Sequence, residues 1–340
     1  MLTSLDIDLL IADTEAEIRR VIEAHEDEHT GPLYEMVRYH MGLDGGEGRS
    51  GKRLRPLLGL LAYESIVGDH RAALPGAAAV ELGHNFSLVH DDIEDGGVER
   101  RHRATLWTVY GVAQAINTGD TLFTLSRMAL HRLTDLGFPD RKVLALTRLY
   151  DETCLALCEG QFMDIWSSEH PQEPMSVDRY FDMIGRKTAA LIAASVQAGA
   201  MLATDDGAVI ERYRAFGWAL GLAFQVNDDL LGIWGEEQTT GKEPSDISAH
   251  KQTLPLLYAL EHAGPEDRER LLVGSRSLEP TPDEVDEVRR ILERTGAREY
   301  ARERAAWYRE EALRQIEQAA VIEGPALQRL RQIINTAISA

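Results

Sequence analysis

Two short runs of carboxylates carry the chemistry open to this sequence. The first reads His84-Asn85-Phe86-Ser87-Leu88-Val89-His90-Asp91-Asp92-Ile93-Glu94-Asp95. On a helix Asp91 and Asp95 fall one turn apart and share a face, with His84 and Leu88 on the same stripe. Two oxygen donors at that spacing suit Mg²⁺, which commonly bridges one or two carboxylates to substrate phosphates. A solvated acidic helix end would read the same way. The second run is Phe224-Gln225-Val226-Asn227-Asp228-Asp229-Leu230-Leu231-Gly232, followed by Glu236. Phe216, Trp218, Leu220 and Leu222 precede it. Adjacent carboxylates behind such an apolar stretch are costly unless they are paired or bind metal. Two acidic helix ends, each behind an apolar helix, describe a cavity with an acidic mouth and a greasy interior.

Cations complete the pattern. Gly51-Lys52-Arg53-Leu54-Arg55-Pro56 is a compact basic patch, and Arg100-Arg101-His102-Arg103 follows the first acidic run. Lys187, Lys242 and Lys251 lie around the second. Carboxylates with Mg²⁺, plus Lys and Arg, make a site for polyanionic phosphate groups. The only other lysine is Lys142; every remaining basic residue is Arg. The net charge of −20 argues against a nucleic-acid binder and against a polybasic membrane anchor.

Helices must position these groups. Leu10, Ile11, Ile18, Val21 and Ile22 follow a helical stripe, as do Val285, Val288 and Leu292. The latter opens on Thr281-Pro282-Asp283-Glu284, a cap, a first-turn proline and a capping box, and Gly296 closes it. Alternating β-branched runs are absent, so the chain reads as all-α. The apolar stretch Thr188–Ala203 is short and contains Gln197, which fits a buried helix better than a membrane span. The start MLTSLDIDLL has neither the basic nor the apolar region of a secretory signal. Cys154 and Cys158, four residues apart on one helix, read as two small core residues in a reducing cytoplasm. Breaks at Gly42–Gly51, Ser167–Pro174, Glu236–Ser245 and Gly274–Pro282 are too short for linkers. One helical domain over residues 1–340 is the simplest account.

With these stretches assembled, the sequence resembles the trans-isoprenyl diphosphate synthases of the polyprenyl synthetase family. The resemblance runs from about Gly51 to Pro255. It is carried by GKRLRP (Gly51–Pro56), SLVHDDIED (Ser87–Asp95), Arg100-Arg101, GVAQAINTGD (Gly111–Asp120) and EGQFMD (Glu159–Asp164). Lys187-Thr188, FQVNDD (Phe224–Asp229), Gly241-Lys242 and Asp246…Lys251-Gln-Thr-Leu-Pro255 complete it. The resemblance implies a large single-domain helical bundle around a deep central cavity. It implies Mg²⁺, three ions per active site, bound by Asp91, Asp95 and Asp228 with Asp92 and Asp229 beside them. Arg100, Lys187 and Lys242 would neutralise an allylic diphosphate. Lys52, Arg55, His84 and Arg101 would bind isopentenyl diphosphate. Gln161, Thr188 and Gln225 would line the reacting region, and Lys251 would stand near the diphosphates. A cytoplasmic homodimer is implied too.

Three departures bear on this reading. The third Asp usual in the second run is Gly232 here, with Glu236 two turns after Asp228. That spacing also resembles the second metal motif of class I terpene cyclases, although cyclases need no isopentenyl diphosphate site. After Arg100-Arg101 the family commonly has Gly, then Pro-Thr, then His; this chain has His102, Ala104-Thr105 and Trp107, the last read as a packing residue. Phe86 and Ser87, five and four positions before Asp91, resemble the chain-length residues of synthases making geranylgeranyl diphosphate. Farnesyl diphosphate or longer products are the alternatives. A non-catalytic partner subunit and an HD-type phosphohydrolase fit less well, because both Asp pairs are present and further His ligands are not.

Overall fold

The computed structural model describes residues 4–45, 51–170, 173–235, 246–247, 251–274, 281–319 and 323–336. These are helical nearly throughout, as the periodicity predicts. The helices are α1 (Ser4–Glu23), α2 (Gly31–Met41), α3 (Leu54–Val67), α4 (Leu74–Glu94), α5 (Leu106–Tyr110), α6 (Val112–Asp135), α7 (Asp140–Glu169) and α8 (Val177–Ile184). They continue as α9 (Ala190–Ala203), α10 (Gly207–Trp234), α11 (Leu254–His262), α12 (Pro265–Gly274), α13 (Pro282–Arg294), α14 (Ala297–Ala319) and α15 (Pro325–Thr336). A π-helical turn, Gly185–Ala189, joins α8 to α9. The one sheet among the described residues is a hairpin, β1 (Glu99–Arg100) with β2 (Arg103–Ala104). No helix among them is long and apolar enough to cross a membrane.

The chain groups into two compact units. The first comprises residues 1–152, 194–213 and 320–330. The apolar stripe of α1 buries Leu10, Ile18, Val21 and Ile22 within it. Its helices approach closely through small residues. A Cβ at Gly83 of α4 would lie 1.5 Å from the Tyr150 hydroxyl, and one at Gly199 of α9 would lie 2.2 Å from the Gly59 carbonyl of α3. Each helical glycine costs about 0.5–1 kcal/mol in backbone entropy relative to alanine, offset here by dense packing. The second unit comprises residues 153–193, 214–319 and 331–340. Ile233, Leu260, Leu271, Ile291 and Leu292 form one of its cores. Its α13 starts on the capping box expected from sequence: Thr281 accepts from the Glu284 amide and Glu284 accepts from the Thr281 amide. Such a cap stabilises a helix by about 1 kcal/mol. Gly296 takes φ 78° just beyond its end.

Two smaller expectations change. Cys154 is buried as predicted, whereas Cys158 is exposed, because α7 turns that position to solvent. The break placed from Ser167 begins later, since α7 continues to Glu169.

Candidate active site

In the first unit the acidic run forms the C-terminal end of α4. Asp91 and Asp92 are in its last turn, and Asp95 is its C-terminal cap, its amide bonded to the Asp91 carbonyl. A helix C-terminus carries partial negative charge, so each carboxylate there is disfavoured by about 0.3–1 kcal/mol until a cation arrives. Arg100 is one such cation: its Nε donates to Asp92 Oδ1 at 2.8 Å. Burial raises the Asp92 carboxyl above its usual range, with Arg100 opposing. Asp92 Oδ2 is buried and has no hydrogen-bond partner. Among the described residues no three His, Cys, Asp or Glu side chains converge as a metal cage. An all-oxygen donor set of one or two carboxylates at a negative helix end fits Mg²⁺ of the kind completed by water and phosphate.

The hairpin after this run presents the Arg pair. Glu99 pairs with Ala104 and Arg100 with Arg103, leaving Arg101 and His102 as the two-residue turn. Both are left-handed, φ 55° and 63°, as a type I′ turn requires. His102 therefore holds the position that the family commonly gives to Gly, at a cost of about 1–2 kcal/mol. Trp107 pins the loop, its indole N–H donating to the Gly97 carbonyl at 2.7 Å, with the Thr105 hydroxyl on the same oxygen. Trp107 thus holds the loop through a hydrogen bond of its indole.

Opposite charge gathers at the start of α3. Arg53 is wholly buried and structural: its guanidinium meets Glu81 at 2.7 Å, Glu15 at 3.3 Å and the Met41 carbonyl at 2.6 Å. Arg55 differs. Its Nη1 donates to His84 Nε2 at 3.0 Å, and no carboxylate among the described residues lies within ion-pair distance of Arg55 or Arg101. Burial pushes Arg55 down to about 10, with Glu81 opposing and Arg101 adding to the effect. Arg101 is lowered by burial as well. His84 is held neutral, well below its ordinary value, by burial and by Arg55 and Arg101. Its Nε2 accepts, so Nδ1 carries the proton. His40, at the end of α2, is pushed to about 3 by burial and the nearby arginines, and its Nε2 has no partner. His40, Arg100, Arg101, Asp92 and Thr105 line one small pocket. Gly51 packs on Arg101: a Cβ there would stand 2.7 Å from the guanidinium carbon. Lys52 is exposed beside it. Two partly buried guanidiniums with no carboxylate at ion-pair distance among the described residues, at the positive end of a helix, suit an anion.

In the second unit Asp228 and Asp229 lie on α10, which continues to Trp234, so they precede the helix end by more than a turn. Asp228 is exposed and Asp229 buried. Asp229 Oδ2 accepts from the Tyr180 hydroxyl at 2.5 Å and the Leu254 amide at 2.8 Å, and Oδ1 from Gln225 Nε2 at 3.2 Å. Gln225 Oε1 in turn accepts from the Thr188 hydroxyl at 2.8 Å. Burial lifts Asp229 to about 7, while these three donors favour its charged form. Lys187 donates to Asp164 Oδ2 at 2.5 Å. Lys187 and Thr188 sit on the π turn, a local under-winding frequent at functional sites. Small residues hold it: a Cβ at Gly160 would lie 2.4 Å from the Lys187 amide nitrogen, and one at Gly221 would lie 2.5 Å from Ala189 Cα. Lys251 Nζ is 3.4 Å from Asp246 Oδ1, and Lys251 is raised in spite of burial by Asp246, Asp228 and Asp164.

The structure thus brings together Arg55, His84, Arg100, Arg101 and Asp92 in one unit, and Lys187, Thr188, Gln225 and Asp229 in the other. Lys242, Gly241 and Glu236 lie outside the described residues. Phe86 is buried on α4 with its ring 5.0 Å from Phe123 of α6 and 6.0 Å from His90, while the Ser87 hydroxyl donates to the His84 carbonyl. Sequence reasoning missed His40, Glu81 and Tyr180. A buried His or Tyr is spelled like any core residue; only the proximity of His40 to the GKRLRP patch hinted at its place.

Comparison with known proteins identifies the family. The family described as Polyprenyl synthetase matches residues 34–294. The (2E,6E)-farnesyl diphosphate synthase of Mycobacterium tuberculosis is 38% identical over 284 residues, covering 81% of this chain and 76% of the relative. The geranylgeranyl diphosphate synthase of the same organism is 41% identical over 255 residues, covering 73% of this chain and 70% of the relative. The crystal structure of geranylgeranyl pyrophosphate synthetase from Pyrococcus horikoshii superposes with a TM-score of 0.85 at 30% identity, covering 98% of both chains. The chain belongs to the polyprenyl synthetase family and is a trans-prenyltransferase.

Proposed function

We propose that the chain joins isopentenyl diphosphate head to tail with an allylic diphosphate (dimethylallyl, geranyl or farnesyl) and makes geranylgeranyl diphosphate. The observation that carries this reading is the receptor at the start of α3. Arg55 and Arg101 are partly buried cations with no carboxylate at ion-pair distance among the described residues, Glu81 acting on them only through space, and His84 and His40 beside them stay neutral. A diphosphate supplies the missing charge, and isopentenyl diphosphate is the substrate proposed for it, with Lys52 at the rim. A terpene cyclase has no use for such a second diphosphate site.

The allylic C–O bond breaks and its electron pair leaves with diphosphate. Arg100, Lys187, Lys242 and Lys251 are proposed to stabilise that charge. The isopentenyl alkene then supplies the electrons of the new C–C bond, and a proton passes to the released diphosphate as a double bond re-forms. Asp91, Asp95 and Asp228 would hold Mg²⁺, which supplies Lewis-acid stabilisation of the leaving group. Asp92 orients Arg100, and Tyr180 and Gln225 orient Asp229, so that neither group must reorganise as charge develops.

The buried Phe86, stacked edge-on against Phe123, supports a blocked tail channel and hence a short product. The match over residues 34–294 includes parts of both compact units, which supports reading residues 1–340 as one domain. Val109, Tyr110, Val112 and Ile116 expose apolar surface on α5 and the start of α6, which supports a homodimer. The purified protein with Mg²⁺, isopentenyl diphosphate and each allylic primer should yield an elongated diphosphate, read by chromatography after dephosphorylation. No elongation with any primer, or a hydrocarbon formed from geranylgeranyl diphosphate alone, overturns the proposal.

A further inference from the structure

A hairpin of two residues per strand does not hold its own shape. The β1–β2 hairpin also carries Arg101 and His102 in the left-handed region with no glycine to ease it, and such residues persist only where the surroundings fix them. The strand before the turn is fixed at Arg100, through Asp92. The strand after it is fixed at Arg103. Its Nη1 donates to Asp44 Oδ1 at 3.0 Å and its Nη2 to Asp44 Oδ2 at 2.6 Å, a forked pair, and Nη1 also donates to the Tyr39 carbonyl at 3.2 Å. The guanidinium carbon stands 4.0 Å above the centre of the Tyr39 ring. The Tyr39 hydroxyl in turn donates to the Ala104 carbonyl at 2.8 Å, and its ring meets Tyr110 edge-on at 5.8 Å. These contacts tie the hairpin to the end of α2 and to Asp44 just beyond it. The Arg103 and Asp44 side chains are 16% and 28% exposed, so water competes less for this pair than for an ordinary surface bridge.

Arg103, Tyr39 and Asp44 have no part in the proposed chemistry, but their neighbours do. Arg101 lies two residues before Arg103, and Gly51 and Lys52 follow Asp44 a few residues later. The two sides meet where Gly51 packs on the Arg101 guanidinium. We infer that Arg103 is a positioning residue: clamped between Tyr39 and Asp44, it holds the turn that carries Arg101 against the segment from α2 to α3, and so sets the affinity for the diphosphate bound there. The inference rests on the reading of Arg55, Arg101 and His84 as the receptor for isopentenyl diphosphate. Arg100 has its own anchor in Asp92, so the clamp acts on isopentenyl diphosphate and not on the allylic substrate.

The test is calorimetric titration of isopentenyl diphosphate into the full-length protein, which needs no turnover. Arg103→Met keeps much of the stem and removes the fork. The hairpin is then ordered only on binding, so Kd should rise about tenfold, the scale of a lost charge-assisted contact. Arg103→Lys should recover little of this, because an ammonium can neither fork onto Asp44 nor lie flat on Tyr39. Asp44→Asn should weaken binding too, and the double variant Arg103→Met/Asp44→Asn no further than Arg103→Met alone, since one clamp is lost only once. In steady-state kinetics of Arg103→Met with geranyl diphosphate as primer, KM for isopentenyl diphosphate should rise, while KM for geranyl diphosphate and kcat stay within about twofold; a general structural defect would move them together. Wild-type affinity in Arg103→Met or Arg103→Lys, additive losses in the double variant, or equal rises of both KM values overturns the inference. Thermal melts accompany each variant. If Arg103→Met does not fold, Tyr39→Phe decides: it takes only the hydroxyl from Ala104 and should weaken binding in the same direction, and wild-type affinity there overturns the inference instead. The underlying reading fails separately, if wild type binds no isopentenyl diphosphate or if Arg101→Ala binds it as wild type does.

Discussion

Asp91 and Asp228 differ from their neighbours Asp92 and Asp229 in a way that separates their tasks. Asp92 and Asp229 are buried, and each holds protein donors: Arg100 on the first, Tyr180, Gln225 and the Leu254 amide on the second. Asp228 is exposed and Asp91 half-buried, as groups that meet a ligand must be. Asp91→Ala or Asp228→Ala should therefore lower kcat by about 10²–10³-fold, the usual scale for a lost charge-stabilising group, with little change in melting temperature. Steady-state kinetics beside a thermal melt checks this; a large drop in stability would show that the carboxylate is structural. Tyr180→Phe should behave differently. It removes a 2.5 Å hydrogen bond to a buried carboxylate, so it should cost about 1–3 kcal/mol of stability as well as activity. Denaturant titration that found Tyr180→Phe as stable as wild type would remove Tyr180 from this role.

Among the elements, the π turn at Gly185–Ala189 decides where Lys187 and Thr188 project, and Gly160 and Gly221 decide where the turn can sit. Gly160→Ala puts a methyl group 2.4 Å from the Lys187 amide nitrogen. The turn must shift, and a misplacement of about 1 Å can cost a hundredfold in rate. The expected outcome is a fall in kcat with far-UV circular dichroism intact; an unchanged kcat would mean that α7 yields and the turn does not. This turn was invisible in the sequence, because one extra residue per turn disappears within the tolerance of a 3.6-residue apolar period. The helices α1 and α13 were readable because periodicity and the Thr281–Glu284 capping box are local signals. The hairpin at Glu99–Ala104 was not, since two-residue strands have no alternation to detect. Arg53 read as one more surface cation. Its burial depends on Glu15 and Glu81, which are distant in sequence.

For the molecule as a whole, the net charge of −20 hides a local excess of positive charge at the start of α3, and that excess couples folding to pH. His40 is held neutral down to about 3, whereas in the unfolded chain it titrates near 6.5. As pH falls below 6.5, unfolded chains take up a proton that the native state refuses. Stability then drops by about 1.4 kcal/mol per pH unit for such a group. His84, also lowered, acts in the same direction. His70 acts in the opposite one. Hydrogen bonds that it donates to Glu64 and Asp13 raise it, so its contribution is full below 6.5 and fades as pH rises through its folded value. Carboxylates elsewhere also titrate, so the informative quantity is a difference of slopes. Urea unfolding of wild type and His40→Gln between pH 7 and 5 should show wild type losing stability more steeply, by roughly 1.4 kcal/mol per unit. His70→Gln should lose stability more steeply than wild type, having given up the gain that His70 makes on protonation. Inorganic diphosphate should flatten the wild-type slope, because an anion beside His84 and His40 offsets the arginine repulsion that adds to burial in keeping them neutral. If the His40→Gln and wild-type slopes coincide, the buried histidine does not face the arginines, and the receptor at the start of α3 is not the uncompensated cation site from which the function is argued.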